Sequence, residues 1–197
     1  MNQSPPYPVG TVRALLTTEH VSAKTREVLL ERLTYQRGPY RFFSPEEATT
    51  LQQMADRLIP QTGYVVDLVG PVDERLAAGE TDGWRYDTMP ADTDAYRQGI
   101  QGLHESAQTL FGQPFDQLTT TQQDELLGQI QQGTAPGDSW QRLAADRFFE
   151  EVLAELVGIY YSHPLVQEAF GYVGMADKPG WELIGLDQLE TREPKEP

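Results

Sequence analysis

The segment FFEEVLAELVGIYYSHPLVQEAFGYVGMADKPGW, from Phe148 to Trp181, decides the fold of this chain. Its first part is strongly apolar at helical spacing, which predicts a central α-helix that ends at a Tyr-Tyr-Ser-His-Pro corner. The part after the corner is rich in glycine and aromatic residues, including Tyr172 and Trp181. No other stretch of the sequence obviously buries these aromatic residues. We therefore expect a protein that completes itself by binding another surface.

Helix signals recur along the rest of the chain, whereas alternating strand patterns are nearly absent. The clearest start is Ser44, followed by Pro45 and by Glu47, which can close a capping box; Thr120 and Gln123 form a second candidate box. The expected helices run from about Ala23 (capped by Ser22) to Gln36, Pro45 to Ile59, Gly63 to Ala78, Asp92 to Leu110, Thr120 to Gln132 and Ser139 to Tyr161.

The pattern predicts an all-α fold, with a single helical domain of roughly five to seven helices. This domain is expected to cover residues 21–170. Residues 1–20 are expected to form an extended N-terminal arm, since prolines are frequent near the start, and residues 171–197 an extended partner-binding tail.

The composition limits the kinds of partner. With 197 residues, of which 39% are hydrophobic and 23% charged, the chain suits one ordinary globular domain. The net charge of -15 and the lack of a basic patch argue against nucleic acid and anionic membranes as partners. No apolar run approaches the roughly 18 residues of a membrane-spanning helix, so direct membrane insertion is not expected. The absence of cysteine excludes disulfides and thiolate chemistry.

The N-terminal sequence MNQSPPYPVGTVRALL has neither a basic n-region nor a long apolar segment, and no Arg-Arg pair is present. As written, the chain is expected to be cytoplasmic, or periplasmic if a partner carries it there.

No segment matches a catalytic or cofactor-binding motif, since GxSxG, GxGxxG, HExxH and a Walker-type phosphate loop are all missing. The three histidines, His20, His104 and His163, lie in different segments without metal-ligand spacing. Glu151 and Glu155 fit a solvated acidic stripe on the long helix better than a general acid–base pair, which stays the alternative. We therefore expect no catalytic, cofactor or metal site in this chain.

His163 and Trp84 each allow a structural and a functional interpretation. His163 precedes Pro164 and fits a hydrogen-bonding corner better than an active-site group. Trp84, in the loop DGWRYD, fits a plug that packs the loop onto the domain better than a residue that stacks on a ligand.

Three blocks together carry a family resemblance: FFSPEEATTLQQMADRLIP from Phe42, LHESAQTLFGQPFDQLTTTQQDELL from Leu103 and FFEEVLAELVGIYYSHPLVQEAFGYVG from Phe148. The sequence resembles the gluconate 2-dehydrogenase subunit 3 family, the small (gamma) subunits of bacterial FAD-dependent sugar and polyol dehydrogenases. The resemblance implies a non-catalytic small subunit that binds and stabilises a large flavoprotein of the glucose-methanol-choline (GMC) type, which carries FAD and the substrate pocket. In many members the small subunit supplies a twin-arginine export signal, which this sequence lacks, and electrons often pass to a cytochrome c subunit.

With that role, we expect the partner interface in the region from Tyr160 to Trp181, with a second patch on the long loop. The candidate interface residues are Trp84, Tyr86, Tyr160, Tyr161, His163, Tyr172 and Trp181. Aromatic side chains are enriched at the centres of protein interfaces, which supports this choice.

Two alternatives of other classes stay open. The chain could be a stand-alone helical protein that binds a ligand or self-associates as a scaffold, which predicts a homo-oligomer that covers the aromatic tail. It could also be an enzyme in its own right that uses Glu and His side chains, which predicts turnover by the isolated chain and a buried carboxylate with a raised pKa.

Overall fold

The computed structural model describes residues 11–63, 65–81, 86–172 and 185–188, and these ranges contain eight α-helices and no β-strand. The all-α prediction is confirmed, with one helix more than the expected number. The helices are α1 (Thr11–Leu15), α2 (Ala23–Thr34), α3 (Pro45–Leu58), α4 (Val69–Ala78), α5 (Asp92–Phe111), α6 (Thr120–Gln131), α7 (Ala145–Tyr161) and α8 (Pro164–Phe170). Two short 3₁₀ turns, Phe115–Gln117 and Ser139–Gln141, precede α6 and α7 respectively.

The chain forms two compact units. The central unit comprises Arg37–Ile159 and contains α3 to α6 and most of α7. The terminal unit combines Met1–Gln36 with Tyr160–Pro197, and its described helices are α1, α2 and α8. The terminal unit therefore joins the first and last parts of this sequence.

The starts of α2 and α3 are fixed by the caps that the sequence predicts. Ser44 Oγ accepts a hydrogen bond from Glu47 N at 3.2 Å, and Glu47 Oε2 accepts one from Ser44 N at 2.8 Å. Pro45 lies at the first helical positions, where its missing N–H costs nothing. Ser22 caps α2 through the backbone N–H of Thr25.

The segment before α3 is held by a buried carboxylate. Asp73 of α4 is 2% exposed and accepts hydrogen bonds from the backbone N–H groups of Arg41, Phe42 and Phe43 at 2.8 to 2.9 Å. Three donors satisfy the charge that burial removes from water. Asp73 thus ties α4 to the entry of α3.

The core of the central unit is built around Phe148 of α7. The ring is fully buried, and its centroid lies 6.1 Å from that of Tyr96 and 5.9 Å from that of Trp140. Helix α5 comes this close because it has glycine at the contacts: a Cβ on Gly99 would lie 2.2 Å from the Phe148 ring, and one on Gly102 would lie 2.5 Å from the Trp140 indole.

Helix α4 begins later than predicted. Pro71 within the predicted helix Gly63 to Ala78 indicates either a kink or a fresh start after Gly70, whereas the structure has a helix start at Val69, two residues earlier. Asp67 Oδ1 accepts hydrogen bonds from the N–H groups of Val69 and Gly70 at 3.1 and 2.9 Å. Pro71 then lies in the first turn, where a helix needs no N–H donor.

Two predictions near α5 and α6 need correction. The capping box of α6 uses Thr119 and Gln122, one residue earlier than the predicted pair Thr120 and Gln123. Helical spacing with Leu103 and Ala107 predicts that Leu110 also points inward from α5, but it is 38% exposed because it lies in the last turn, beyond the buried part of that face.

The long helix α7 begins at Ala145 and not at Ser139. Ser139 is buried in the preceding 3₁₀ turn, where its N–H and its hydroxyl both donate to the carboxylate of Glu105 at 2.8 and 3.0 Å. These side-chain contacts compete with helical backbone bonds, so the regular helix starts only after the turn.

The terminal unit has its own apolar core, and α1 is part of it. The sequence predicted an extended arm over residues 1–20, whereas residues 11–15 are helical. The apolar residues of α1 are buried together with residues that follow it in the chain: Val12, Leu15, Leu16, Val21 and Leu29. Val12 and Leu15 form an apolar i, i+3 pair that indicates a helix, but the nearby prolines favoured an extended arm in the sequence-based prediction. Most of the rest of the predicted arm and most of the predicted tail lie outside the described residues, so their extended form stays a prediction.

Arg26 of α2 closes the turn between α1 and α2. Its Nε donates to the Leu16 carbonyl at 2.6 Å, and its Nη2 donates to the carbonyls of Thr18 and Val21 at 2.7 and 3.0 Å. One guanidinium therefore satisfies three carbonyls beyond the end of α1 that no helical N–H reaches.

The contact between Gly99 and Phe148 predicts opposite effects for two Gly→Ala changes. Gly99→Ala should lower the free energy of unfolding by about 1 to 3 kcal/mol, because the new methyl group overlaps a ring that is packed on all sides. Gly128→Ala should raise it by up to about 1 kcal/mol, because nothing lies within 4 Å of a Cβ there and alanine is the better helix former. Urea denaturation of both variants tests this, and equal effects would contradict the close approach.

Candidate functional site

The corner between α7 and α8 is formed by Ser162 and His163. Helix α7 ends at Tyr161, and His163 is extended, with φ −77° and ψ 130°, as expected before Pro164. His163 is the N-cap of α8, and Pro164 is its first residue. The expected hydrogen-bonding corner is therefore present.

Both ring nitrogens of His163 have partners within the terminal unit. Nδ1 accepts a hydrogen bond from the backbone N–H of Leu165 at 3.3 Å, and Nε2 lies 3.1 Å from the carbonyl oxygen of Arg32 in α2. In return, Arg32 Nη1 donates to the Ser162 carbonyl at 3.0 Å. Since Leu165 N–H is a donor and a carbonyl is an acceptor, the ring is neutral with its proton on Nε2.

The surroundings of His163 favour this neutral form. Burial lowers the pKa of the His163 imidazole below its ordinary value, and the positive charge of Arg32 acts in the same direction. The hydrogen bond to the Arg32 carbonyl opposes these two effects without cancelling them.

An aromatic surface lies beside this corner; we define it by the exposed Tyr161 and Phe170 and the half-buried Tyr160. The ring centroids of Tyr160 and Tyr161 are 5.2 Å apart, as are those of Tyr161 and Phe170. Tyr161 is 49% exposed and Phe170 is 57% exposed. Tyr172, which follows two residues later, is 52% exposed. Large apolar side chains grouped in this way are typical of interaction sites.

Helix α8, which carries Phe170 of the aromatic surface, is held on α1 by an ion pair. Glu168 is 4% exposed, and its carboxylate accepts hydrogen bonds from the backbone N–H of Arg13 at 2.8 Å and from the Arg13 guanidinium at 3.0 to 3.2 Å. A nearly buried carboxylate with this many donors fixes the position of α8 on α1.

Sequence reasoning did not single out Phe170, Glu168 or Arg13. Phe170 has no clear signal for exposure, because it lies four residues after Val166, on the face that is buried at that residue. Only Gly171, which ends α8 in a left-handed conformation, marks Phe170 as the last helical residue. The ion pair has no local signal, since its partners are 155 residues apart.

The structure brings together only part of the predicted interface. Tyr160, Tyr161 and His163 lie at the corner, and Tyr172 follows α8. Tyr86 belongs to the central unit, where the Arg147 guanidinium lies 4.0 Å from its ring centroid. Trp84 and Trp181 lie outside the described residues. The roles of all these residues in partner binding stay predictions.

In the central unit, Glu155 is not part of a solvated stripe, which corrects the sequence-based interpretation. Its side chain is 16% exposed, and its carboxylate binds Arg75 through Nε and Nη2 at 2.7 and 2.8 Å. The Tyr96 hydroxyl also donates to it, and Arg75 Nη1 binds Asp92 at 2.6 Å. One guanidinium thus pairs with two carboxylates, and the network connects α4, α5 and α7.

The Tyr96 phenol is a hydrogen-bond donor in this network. Burial raises the pKa of Tyr96 well above its ordinary value, and the neighbouring Glu155 carboxylate acts in the same direction. Tyr96 therefore stays protonated at neutral pH and donates to Glu155.

The network predicts that Glu155→Gln is far more costly than the same change at Glu150, whose side chain is 55% exposed and pairs with Arg147. Glu155→Gln should lower the free energy of unfolding by about 2 to 4 kcal/mol, because it leaves Arg75 without its bidentate partner. Glu150→Gln should change it by less than about 1 kcal/mol. Urea denaturation measures both, and a neutral Glu155→Gln variant would restore the interpretation as a solvated stripe.

Among the described residues, no group of three or more His, Cys, Asp or Glu side chains is arranged to hold a metal ion. No helix in the described ranges is both long enough and apolar enough to cross a membrane.

Comparison with protein families gives one match: the model of the family described as Gluconate 2-dehydrogenase subunit 3 matches residues 45–185. The matched range includes α3 to α8, and with them the corner and the aromatic surface. Comparison with curated proteins and with solved structures gives no match.

Proposed function

Because the chain belongs to the gluconate 2-dehydrogenase subunit 3 family, we propose that it is a non-catalytic small subunit that binds and stabilises a large FAD-dependent dehydrogenase subunit of the GMC type. The family is one of dehydrogenase accessory subunits, which implies an oxidoreductase as partner. In this proposal the large subunit holds FAD and oxidises a sugar or alcohol. The present chain contributes no cofactor and supplies only binding surface.

The observation that best supports this role is the aromatic surface at the corner between α7 and α8. A side chain of this kind buries about 150 to 250 Å² when it is fully covered, and tyrosine is over-represented among residues that dominate binding energy. Tyr161 and Phe170 are each about half exposed and in ring contact, so a partner could cover both at once.

The contacts that hold α8 and the corner in place favour binding without large rearrangement. Glu168 and Arg13 hold α8 on α1, and His163 with Arg32 holds the corner on α2. A surface that is already ordered in the free chain loses less conformational entropy on binding. This suits a subunit that stabilises its partner by adding a preformed surface.

A cytochrome c subunit that accepts the electrons is a further expected member of the complex. The net charge of -15 would attract a positively charged surface on such a subunit over a distance of about a Debye length. This contact would be sensitive to salt, unlike an apolar contact at the aromatic surface.

Replacing the exposed rings should release the partner. In the double variant Tyr161→Ala/Phe170→Ala, we expect at least tenfold weaker retention of the large subunit, about the loss typical of central aromatic residues in interfaces. The measurement is purification of the tagged chain from its host, with intact masses and the flavin absorbance of the eluate. Point variants are preferable to truncation, because removal of α8 would also remove Glu168 from the core.

Leu110→Ala provides the matched control, since Leu110 is a large apolar residue exposed on the central unit. Far-ultraviolet circular dichroism should show that both variants keep their helices. A flavoprotein that is retained equally by the double variant and by the control would place the interface elsewhere. A folded wild-type chain that elutes without flavin, as a homo-oligomer, would favour the self-associating scaffold.

A further inference from the structure

We propose that protonation of His163 opens the corner between α7 and α8 and thereby weakens binding of the partner subunit at the aromatic surface. The binding step of this inference rests on the proposed function. The opening of the corner rests on the hydrogen bonds of the chain itself.

The two hydrogen bonds of the His163 ring can form together only with the neutral imidazole. A second proton would have to sit on Nδ1, where the N–H of Leu165 already points at 3.3 Å. Two donors would then face each other, and α8 would lose its cap. The Nε2 side offers no alternative, because the Arg32 carbonyl already takes the proton there.

The charged groups around the corner add to this effect. Arg32 of α2 acts directly on the ring, and its guanidinium is held close by its bond to the Ser162 carbonyl. Glu168 of α8 is paired with Arg13 of α1. The end of α7 contributes the phenols of Tyr160 and Tyr161. An imidazolium would thus meet the positive charge of Arg32 rather than a carboxylate.

The change at His163 is transmitted to the aromatic surface by the geometry of the corner. Tyr161 precedes the corner and Phe170 follows it at the far end of α8, and their ring centroids lie 5.2 Å apart. Loss of the cap frees the corner and lets Tyr161 on its α7 side move, while the bond from Glu168 to Arg13 holds α8, and with it Phe170, on α1. The expected change is therefore a local separation of the two rings and not unfolding of the terminal unit.

The direction of the pH dependence follows from the environment of the ring. Because burial lowers the pKa of His163 in the folded chain, the unfolded chain takes up the proton first as the pH falls. The cap is fully stabilising above the ordinary value of about 6.5. It is lost as the pH falls through the lower value of the folded chain.

The first test uses the full chain alone. Nuclear magnetic resonance between about pH 7.5 and pH 5 should show the Leu165 amide and the Tyr161–Phe170 contact changing with the midpoint of the His163 imidazole. His163→Asn should remove this dependence, since asparagine is a good N-cap that does not titrate in this range. His20→Asn and His104→Asn should leave it unchanged. A ring contact that persists through the titration of His163 would overturn the inference.

The second test uses the flavoprotein that co-purifies with the tagged chain. As the pH falls through the titration of His163, the dissociation constant of this flavoprotein should rise by up to about fivefold, the factor that corresponds to loss of one helix cap. His163→Asn should abolish most of this rise. If the complex forms but its pH dependence persists in His163→Asn, the inference is wrong and the proposed function stands. If no flavoprotein binds at any pH, the proposed function fails, and the binding step of the inference fails with it.

Discussion

The terminal unit depends on the contact between the Glu168 carboxylate and Arg13. A carboxylate that is 4% exposed must be compensated, and here the backbone N–H and the guanidinium of one residue provide the compensation. The same contact positions α8, and α8 carries Phe170. An internal ionic interaction therefore determines where an exposed apolar side chain is displayed.

The central unit uses carboxylates in a similar way. Asp73 satisfies the N–H groups of Arg41, Phe42 and Phe43, and Glu155 joins Arg75 to Tyr96. These acidic groups connect helices in the interior, although a net charge of -15 first suggests a uniformly solvated acidic surface. Total charge thus describes how the protein interacts at a distance, whereas burial decides what each carboxylate does in the fold.

Local features of this chain were readable from the sequence, and long-range ones were not. The caps at Ser22 and Ser44, the exit of α7 before Pro164 and the buried face of α7 near Phe148 follow from neighbours within a few residues. The ion pair of Glu168 and the role of Glu155 depend on partners that lie far away in sequence, so spacing alone carries no signal for them. Helix α1 was missed because its five residues contain a single apolar i, i+3 pair, Val12 and Leu15, which the nearby prolines outweighed.

For the candidate site, the sequence located the corner and its aromatic character but not the arrangement of its rings. His163 was recognised as a corner residue because proline restricts the residue before it. Which rings meet could be known only once α8 was placed, and Phe170 joined the surface for that reason. The family match extends this local picture to a functional class, since it includes the whole corner.

The composition of the terminal unit from both ends of the sequence has a consequence for biosynthesis. On the ribosome, residues 11–36 emerge early, but Glu168 and Val166 emerge only after the whole of the central unit has been made. The residues of α1 must wait for their partners while the central unit can already form its own core. The aromatic surface is completed only once α8 has been made, after the whole of the central unit.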